Sequence, residues 1–389
     1  MPAAFSRPPD VPNWSNPALE DHKGNRLSVV GSADFFAKGT KTFFGDLHVH
    51  TNYSRCGRPN NLDLPDKLAW VRRETKHDFV AVADHAEHMS DADYAEYCRV
   101  IDSADSPGAF VTLPAYEWAG RAHPTTGHRN VMFRDGFGPI FRGTEPPTMS
   151  SRGLGEALRR LNVPAIAPRH HTTYHGSWDS FAPDLEPVVE IYSSWGNSEH
   201  EGCAARRPED GNKFPLPGNW VQDGLTRGCV TGFVGGGDAH NIMPGTCGLT
   251  GVIAESLTRG AVWDAIRARR CYATTGPRIL LDFSVNGHPM GSVLRLNKEQ
   301  WPGLYPLKIA CGVIGTGPLQ KLELIENNRV IFTQTLRRGP SNEMACAFNQ
   351  PASGHIYYGR YYYARVTQSD GEMAWSSPVW FLFSDGNEA

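Results

Sequence analysis

From Phe43 onward, short apolar runs alternate with segments whose apolar residues recur at helical spacing. FFGDLHVH, DFVAVADH, FVTLPAYEW, HRNVMF, VPAIAPRHH, PVVEIYSSW, VTGFVGGGDAH and LTGVIA read as strands. Between them the pattern predicts helices near Pro65 to Lys76, near Asp91 to Ser103 with Ser90 as N-cap, over GLGEALRRLN and over GAVWDAIRARR. Such alternation predicts an α/β fold built on a mostly parallel sheet or barrel. After Tyr272-Ala273-Thr274-Thr275-Gly276-Pro277 the period changes to two, in ILLDFSVNG, LKIACGVIG, KLELIENNRVIFTQTL and the closing tyrosine-rich stretch. That change predicts a C-terminal β-sandwich, with Asn327-Asn328 and Asp370-Gly371 as hairpin turns. The leading residues, rich in Pro, Asn, Ser and charge, read as an extended surface arm. The expected division is an arm over 1–40, a catalytic body over 41–277 and a β-rich part over 278–389.

Buried parallel strands are nearly continuous apolar runs, so polar residues at their C-terminal ends stand out. His48 and His50 close the first run, and His85 follows FVAVAD. Glu117 follows FVTLPAY, His170 and His171 follow VPAIAPR, and Asp238 and His240 follow VTGFVGGG. Residues two apart on a strand share a face, so His48 with His50, and Asp238 with His240, can each grip one ion. Thirteen of the fifteen histidines lie at or before position 240, although the rest of the chain is equally patterned. A single histidine is more often a packing or solvated residue than a ligand. Their shared position at strand ends reverses that, and predicts a multinuclear metal site at a barrel mouth and a metal-dependent hydrolase.

Composition narrows the class. With 389 residues, 40% hydrophobic and 20% charged, the chain reads as an ordinary soluble globular protein. The net charge of -3 comes from well-mixed acids and bases with no polybasic stretch, which argues against a nucleic-acid or membrane-surface partner. The eight cysteines are dispersed without CxxC pairs, so reduced thiols and a cytoplasmic location are expected. The sequence MPAAFSRPPDVPNW lacks the charged and apolar regions of a secretory leader, and no run reaches bilayer-spanning length. Gly235-Gly236-Gly237 has no Lys-Ser/Thr after it, so close backbone approach is a better reading than a nucleotide loop.

DLHVHT, VADH, the Glu of PAYEW, GHRN, PRHHT and GDAH, in that order, resemble the motifs of the PHP (polymerase and histidinol phosphatase) superfamily. The chain looks closer still to the branch called domain of unknown function 3604, because VEIYSSWGNSE, RRCYATTGPRI and YYYARVTQSDGEMAWSSPVW resemble its signatures, from about Phe43 to the C-terminus. The resemblance implies a distorted (β/α)7 barrel with two to three divalent transition-metal ions, manganese, iron or zinc, at its C-terminal mouth. Carried over, His48, His50, Glu117 and Asp238 would hold the first ion. Glu117 would bridge to a second, completed by His128 and one of His170 or His171, with His170 the nearer choice. His85 and His240 would take a third. Where many family members carry a further ligand, this chain has Cys56, whose thiolate suits zinc or iron and whose plainer reading is a small buried residue.

Adjacent cations make hydroxide available near neutral pH, because a bound metal lowers the pKa of water to about 7 in favourable cases. A hydroxide bridging two ions is therefore the expected nucleophile, with the scissile oxygen polarised by the same ions. Asp46, on the strand face of His48 and His50, could orient a ligand or shuttle a proton, and His171 could donate to substrate. Arg55, Arg129 and Arg169 sit beside ligand positions and could bind an oxyanion, or be ordinary salt-bridge residues. The catalytic set expected is thus Asp46, Glu117, Arg169 and His171. Trp118, Tyr174, Trp178, Tyr192 and Trp195 either line an aromatic pocket or pack the core. The expected activity is hydrolysis of a small phosphomonoester or phosphodiester. The alternatives are an amide, lactone or sulfate ester, or a metal-binding protein without catalysis. A small-molecule substrate is the expected partner, and the C-terminal part could serve as a homo-oligomer contact.

Overall fold

The computed structural model describes residues 40–55, 61–120, 126–174, 176–203, 216–238, 240, 247–297, 299–335, 341–350 and 359–383. The expected N-terminal arm, Cys56, His123 and His175 lie outside them. The fold is mixed α/β, rich in sheet and sparing in helix. The first eleven strands are β1 (Lys41–Val49), β2 (Phe79–Val82), β3 (Val111–Leu113), β4 (Ala115–Ala119), β5 (His128–Phe133), β6 (Ala165–Ile166), β7 (Val188–Ser193), β8 (Gly196–Asn197), β9 (Gly232–Gly235), β10 (Leu249–Ala254) and β11 (Cys271–Thr274). The helices are α1 (Leu64–Trp70), α2 (Asp91–Ala104), α3 (Ser151–Arg159), α4 (Val221–Thr226) and α5 (Arg259–Arg267). Ser90 caps α2 through a reciprocal box with Asp93, as its position predicts. The short α4 carries too little periodicity to be read from sequence.

The apolar runs follow from burial on both faces. On β2, Phe79 and Ala81 enter a core with Leu47, Leu113, Met132, Val188, Val234 and Trp263 of α5. The alternate residues Val80 and Val82 enter a second core with Leu68 of α1 and Tyr97 and Ile101 of α2. A strand covered on both sides has no polar alternation left to show.

The expectation of a mostly parallel sheet needs correction. β1, β2 and β3 pair in parallel, as do β7 and β9, but β10 runs antiparallel to both β1 and β11. β4, β5 and β6 form an antiparallel sheet. A parallel return needs a crossover of a dozen or more residues, usually helical, and only residues 120–127 join β4 to β5. FVTLPAYEW also makes two strands, β3 and β4, divided at Pro114, which has no N–H to give to a ladder. No hydrogen-bonded sheet closes on itself among the described residues.

The remaining strands are β12 (Leu280–Val285), β13 (His288–Pro289), β14 (Val293–Leu296), β15 (Leu307–Ile314), β16 (Leu319–Glu326), β17 (Arg329–Thr335), β18 (Glu343–Gln350), β19 (Gly359–Gln368), β20 (Met373–Ser376) and β21 (Val379–Phe383). Asn327 and Asn328, both at positive φ (45° and 65°), turn β16 into β17, and Gly371 (φ 90°) lies between β19 and β20. β12, β13, β15 and β18 form a four-stranded sheet. Its Leu281, Phe283, Ile309 and Val313 share a core with Leu322, Leu324, Val366 and Phe381 from β16, β19 and β21. Those strands belong to the sheet of β1, because β20 pairs antiparallel with β11. Among the described residues no helix is long and apolar enough to cross a membrane.

Asp282 on β12 is buried and its Oδ2 makes no hydrogen bond. Burial pushes its carboxyl up to about 7, against a hydrogen bond from the Phe283 backbone. The folded chain therefore holds a proton that the unfolded chain releases near pH 4, so this residue costs stability progressively from about pH 4 to 7. Asp282→Asn is expected to raise the melting temperature, with a larger gain at pH 8.5 than at pH 5. An equal shift at the two pH values, measured by differential scanning calorimetry, would contradict this.

Candidate metal centre

β1 delivers His48 at its end and His50 just beyond, with a break in its register against β2 between Asp46 and Val49. Asp46 Oδ1 accepts the N–H groups of His48 and Gly237, both at 2.8 Å, and the Asp238 N–H donates to the His48 carbonyl at 2.8 Å. These bonds tie the end of β1 to the segment after β9. A side chain at Gly237 would meet Asp46 Oδ2 at 2.6 Å, and one at Gly236 would meet Glu190 Oε2 at 2.6 Å. The glycines thus permit the close backbone approach expected, with carboxylates as the near neighbours.

Glu117, on β4, lies at the centre of the cluster. Its Oε1 is 2.7 Å from His128 Nδ1 and 3.0 Å from His170 Nε2. Its Oε2 lies 3.2 Å from His85 Nδ1, 3.4 Å from His50 Nε2 and 3.6 Å from His48 Nε2. Asp238 faces the same group, 3.2 Å from His50 Nε2, 3.5 Å from His48 Nε2, 3.6 Å from His171 Nε2 and 3.9 Å from His240 Nδ1. Three sets of candidate ligand atoms lie within 4.8 Å of one another: Glu117 with His128, His170 and His171; His50 with His85 and His240; and His48 with His170 and Asp238. His48, His50 and Glu117 make a fourth. Apart from Cys56, every residue expected as a ligand is brought together, and His171 joins His170 against Glu117. His85, His128 and His240 are the partly exposed members, at 12%, 21% and 20%, so the cluster opens to solvent on their side.

Burial dominates the electrostatics. It holds His50 and His170 well below the usual imidazole range, with neighbouring histidines adding to the effect, and pushes His85 down to about 4. These rings are therefore neutral at physiological pH, the form that ligates metal. His48 is the exception: burial lowers it, but Asp238 and Glu190 outweigh that and raise it. Burial also acts on both carboxylates. The histidines around Glu117 overcome it and keep that carboxyl low, while Asp238 is driven well above its usual range by burial, with the charge of Glu117 adding. Glu117 Oε2, Asp238 Oδ2 and His170 Nδ1 are buried without a hydrogen bond. Orphaned acceptors beside neutral imidazoles fit divalent transition-metal ions, whose mixed imidazole and carboxylate shells this set can supply.

Residues not singled out from sequence hold the rings in place. Glu190 Oε2 lies 3.0 Å from His48 Nδ1, leaving Nε2 for the centre. His50 Nδ1 is 2.8 Å from Ser54 Oγ, whose hydroxyl donates to Asp84 Oδ1 at 2.5 Å. Asp84 also accepts from the Thr51 N–H and hydroxyl and the Ser54 N–H, which orders the whole turn after β1. An acceptor behind the His48 and His50 imidazoles fixes the tautomer of these two rings. The sequence signal for Glu190 was a lone carboxylate inside the apolar run of β7, and for Asp84 a carboxylate just beyond β2.

The arginines behave differently. Arg169 Nε donates to Glu186 Oε2 at 2.5 Å, Nη1 donates to the Ser177 carbonyl at 3.0 Å, and its guanidinium lies 4.5 Å over the Trp178 ring. Arg129 reaches Glu186 Oε1 at 3.3 Å. Arg55 is exposed and lies 3.7 Å from Asp93. None of these arginines is paired with the carboxylates of the cluster.

Comparison with known proteins gives a family-model match over part of the chain and no activity. The model of the family described as "Protein of unknown function (DUF3604)" matches residues 66–141 and 232–288. The matched segments contain His85, Glu117, His128, Asp238 and His240. An uncharacterized protein of Chlamydia pneumoniae is 30% identical over 362 residues, covering 85% of this chain and 56% of the relative. An uncharacterized protein of Chlamydia trachomatis is 31% identical over 258 residues, covering 57% of this chain and 38% of the relative. The chain thus spans about half, or less, of the length of these relatives. Among solved structures, a two-domain protein from Bacteroides vulgatus containing a predicted PHP-like metal-dependent phosphoesterase is similar at a TM-score of 0.43 and 14% identity, over 88% of this chain and 97% of that one. PsfC from Pseudomonas syringae is similar at a TM-score of 0.36 and 13% identity, over 54% of this chain and 82% of that one. Likenesses at these values carry no inference about chemistry.

Two measurements follow from this geometry. Glu190→Gln and Ser54→Ala, which leave the ligand atoms intact, are each expected to weaken metal binding about 10- to 100-fold, read by calorimetric titration of the metal-stripped protein. Unchanged affinity in both would show that the imidazoles need no support. Glu186→Ala leaves two buried guanidinium groups without their carboxylate and is expected to destabilise the fold by about 3–5 kcal/mol. Chemical denaturation that shows a loss below 1 kcal/mol would remove that ion cluster from the structural framework.

Proposed function

We propose that the chain is a metal-dependent hydrolase whose most favoured substrates are small phosphomonoesters or phosphodiesters. The observation that carries this reading is one buried carboxylate, Glu117, within 2.7–3.6 Å of five histidines, with Asp238 facing the same cluster. His48, His50, Glu117 and Asp238 would hold one ion, Glu117 with His128 and His170 a second, and His85 with His240 a third. Bound there, divalent ions would supply activation of water near neutral pH and charge neutralisation at the scissile group. A distorted seven-stranded barrel over 41–277, followed by a sandwich over 278–389, is the architecture we infer around it. Single bridges between the open sheets support the barrel, pairing His85 with Glu117 and Arg169 with Val189.

The chain's own groups then divide the work. Glu117 faces two sets of imidazoles and fixes their spacing. Asp46 braces the cluster by joining the backbones of His48 and Gly237. It keeps one oxygen, Oδ2, without a hydrogen bond, and that atom could hold a proton. His171 is held at positive φ (29°), with Nε2 3.6 Å from Asp238, where it can donate a hydrogen bond to a substrate oxygen. Arg169, engaged by Glu186, is better read as a positioning residue: its backbone bridges Arg129 and Val189 and so sets the place of His170.

The test is release of p-nitrophenol from p-nitrophenyl phosphate and bis-p-nitrophenyl phosphate by protein loaded separately with manganese, iron and zinc, against a chelated control. Metal-dependent turnover is expected, and its preference tells monoesters from diesters. Glu117→Ala is expected to abolish turnover and at least one equivalent of bound metal, counted by elemental analysis. Full activity in that variant would remove Glu117 from the assignment, and silence of the wild type with all three metals would overturn the phosphoester reading.

A further inference from the structure

Of the five aromatic residues that sequence places near the cluster, three have other employment. Trp118 is fully buried and donates its Nε1 to the Thr148 carbonyl at 2.9 Å. Trp178 is buried, bonded through Nε1 to the Trp220 carbonyl at 2.9 Å and covered by the Arg169 guanidinium. Tyr192 stacks on Trp375 with ring centroids 6.1 Å apart. Tyr174 and Trp195 differ from these in lying against His171. Both are partly exposed, their ring centroids are 4.6 Å apart with 39° between planes, and each meets His171 edge-on, at 5.8 and 5.5 Å.

The backbone holds both rings firmly at that place. Trp195 lies in the tight turn of the β7–β8 hairpin, between the paired residues Ser193 and Gly196, where Gly196 has φ 88°. Its neighbour Ser194 donates its N–H to the Gly237 carbonyl at 3.0 Å and its hydroxyl to the Asp238 carbonyl at 2.7 Å. The turn is therefore riveted to the chain segment that carries Asp238. Tyr174 closes the turn begun by His171 through its N–H to the His171 carbonyl at 2.8 Å. An indole and a phenol, two residue types that place large flat surface with few rotatable bonds, thus stand one residue outside the cluster, with part of their area in contact with solvent.

We propose that Tyr174 and Trp195 form an aromatic wall that selects substrates whose ester carries a flat aromatic or heteroaromatic ring next to the scissile group. The proposal rests on the hydrolase reading above and specifies its substrate class. Ring-on-ring contact of this kind adds favourable energy beyond simple burial, and it depends on planarity. A compact sugar or polyol phosphate would leave the wall unused. An aryl ester seated with its ester oxygen toward His171 would cover it.

The test is calorimetric binding of three non-hydrolysable probes, phenylphosphonate, cyclohexylphosphonate and methylphosphonate, to the manganese-loaded protein. The wild type is expected to bind phenylphosphonate about tenfold tighter than methylphosphonate, with cyclohexylphosphonate close to the methyl compound, because a puckered ring cannot stack. The phenyl-to-methyl ratio is expected to fall to near one in Trp195→Ala and, independently, in Tyr174→Ala, and to survive in Trp195→Phe. A ratio near one in the wild type, or an unchanged ratio in both alanine variants, would overturn the wall while leaving the hydrolase reading intact. Equal gain from the cyclohexyl probe would also overturn it, since an apolar surface without stacking would then explain the preference. Failure of all three probes to bind would instead overturn the phosphoester reading, and this inference with it.

Discussion

A carboxylate at the centre of a ring of imidazoles is the constraint to which the rest of the molecule answers. Glu117 is 1% exposed, and a buried charge in that position is costly unless its surroundings compensate it. Compensation comes from histidines on four separate segments: the end of β1, the turn after β2, the start of β5 and the turn after β6. Each segment has to arrive at the same point with its ring aimed inward. The glycines after β9, the Asp46 brace and the register break in β1 are local devices that make this convergence possible. The orientation of the rings is then secured from behind, by Glu190 for His48 and by Ser54 with Asp84 for His50.

The histidines were legible in sequence because each interrupts or ends an apolar run, and a polar residue in such a place needs a reason. The same logic, applied to carboxylates, would have drawn attention to Glu190 within β7 and to Asp84 after β2. Local elements with strong chemistry were also legible: the capped helix from Asp91, the strand HRNVMF and the double-asparagine hairpin turn all follow from nearest-neighbour physics. Strand direction was not. An apolar run covered on both faces looks the same whether its partner runs parallel or antiparallel. A short connection excludes a parallel return, which is why the link from β4 to β5 turned that part of the fold antiparallel.

Arg129 and Arg169 show why adjacency to a ligand in sequence is a poor guide to role. His128 and His170 both reach Glu117, whereas the residues one position on and one position back, Arg129 and Arg169, both reach Glu186. Extended backbone sends successive side chains to opposite faces, so a residue beside a ligand is aimed away from it. Two ligands on one side of the strands thus imply two arginines on the other. The antiparallel bridge between Arg129 and Arg169 keeps the two alternations in phase.

The two faces also differ in how completely their charges are answered. Glu186 uses one oxygen for Arg169 and the Arg129 guanidinium lies against the other, while its burial is matched by two cations. It is a buried ion cluster, suited to holding strands together. On the opposite face, Glu117 and Asp238 share the imidazoles of His48 and His50, and each keeps a buried oxygen without a hydrogen bond. Carboxylate oxygens and imidazole nitrogens from several segments thus converge on one place. A purely structural network would be expected to satisfy those atoms, as Glu186 does with both its oxygens engaged. Their being left open, beside His48 and His50 rings whose Nδ1 atoms are held by Glu190 and Ser54, is what distinguishes a site built to receive cations from a polar patch in the core.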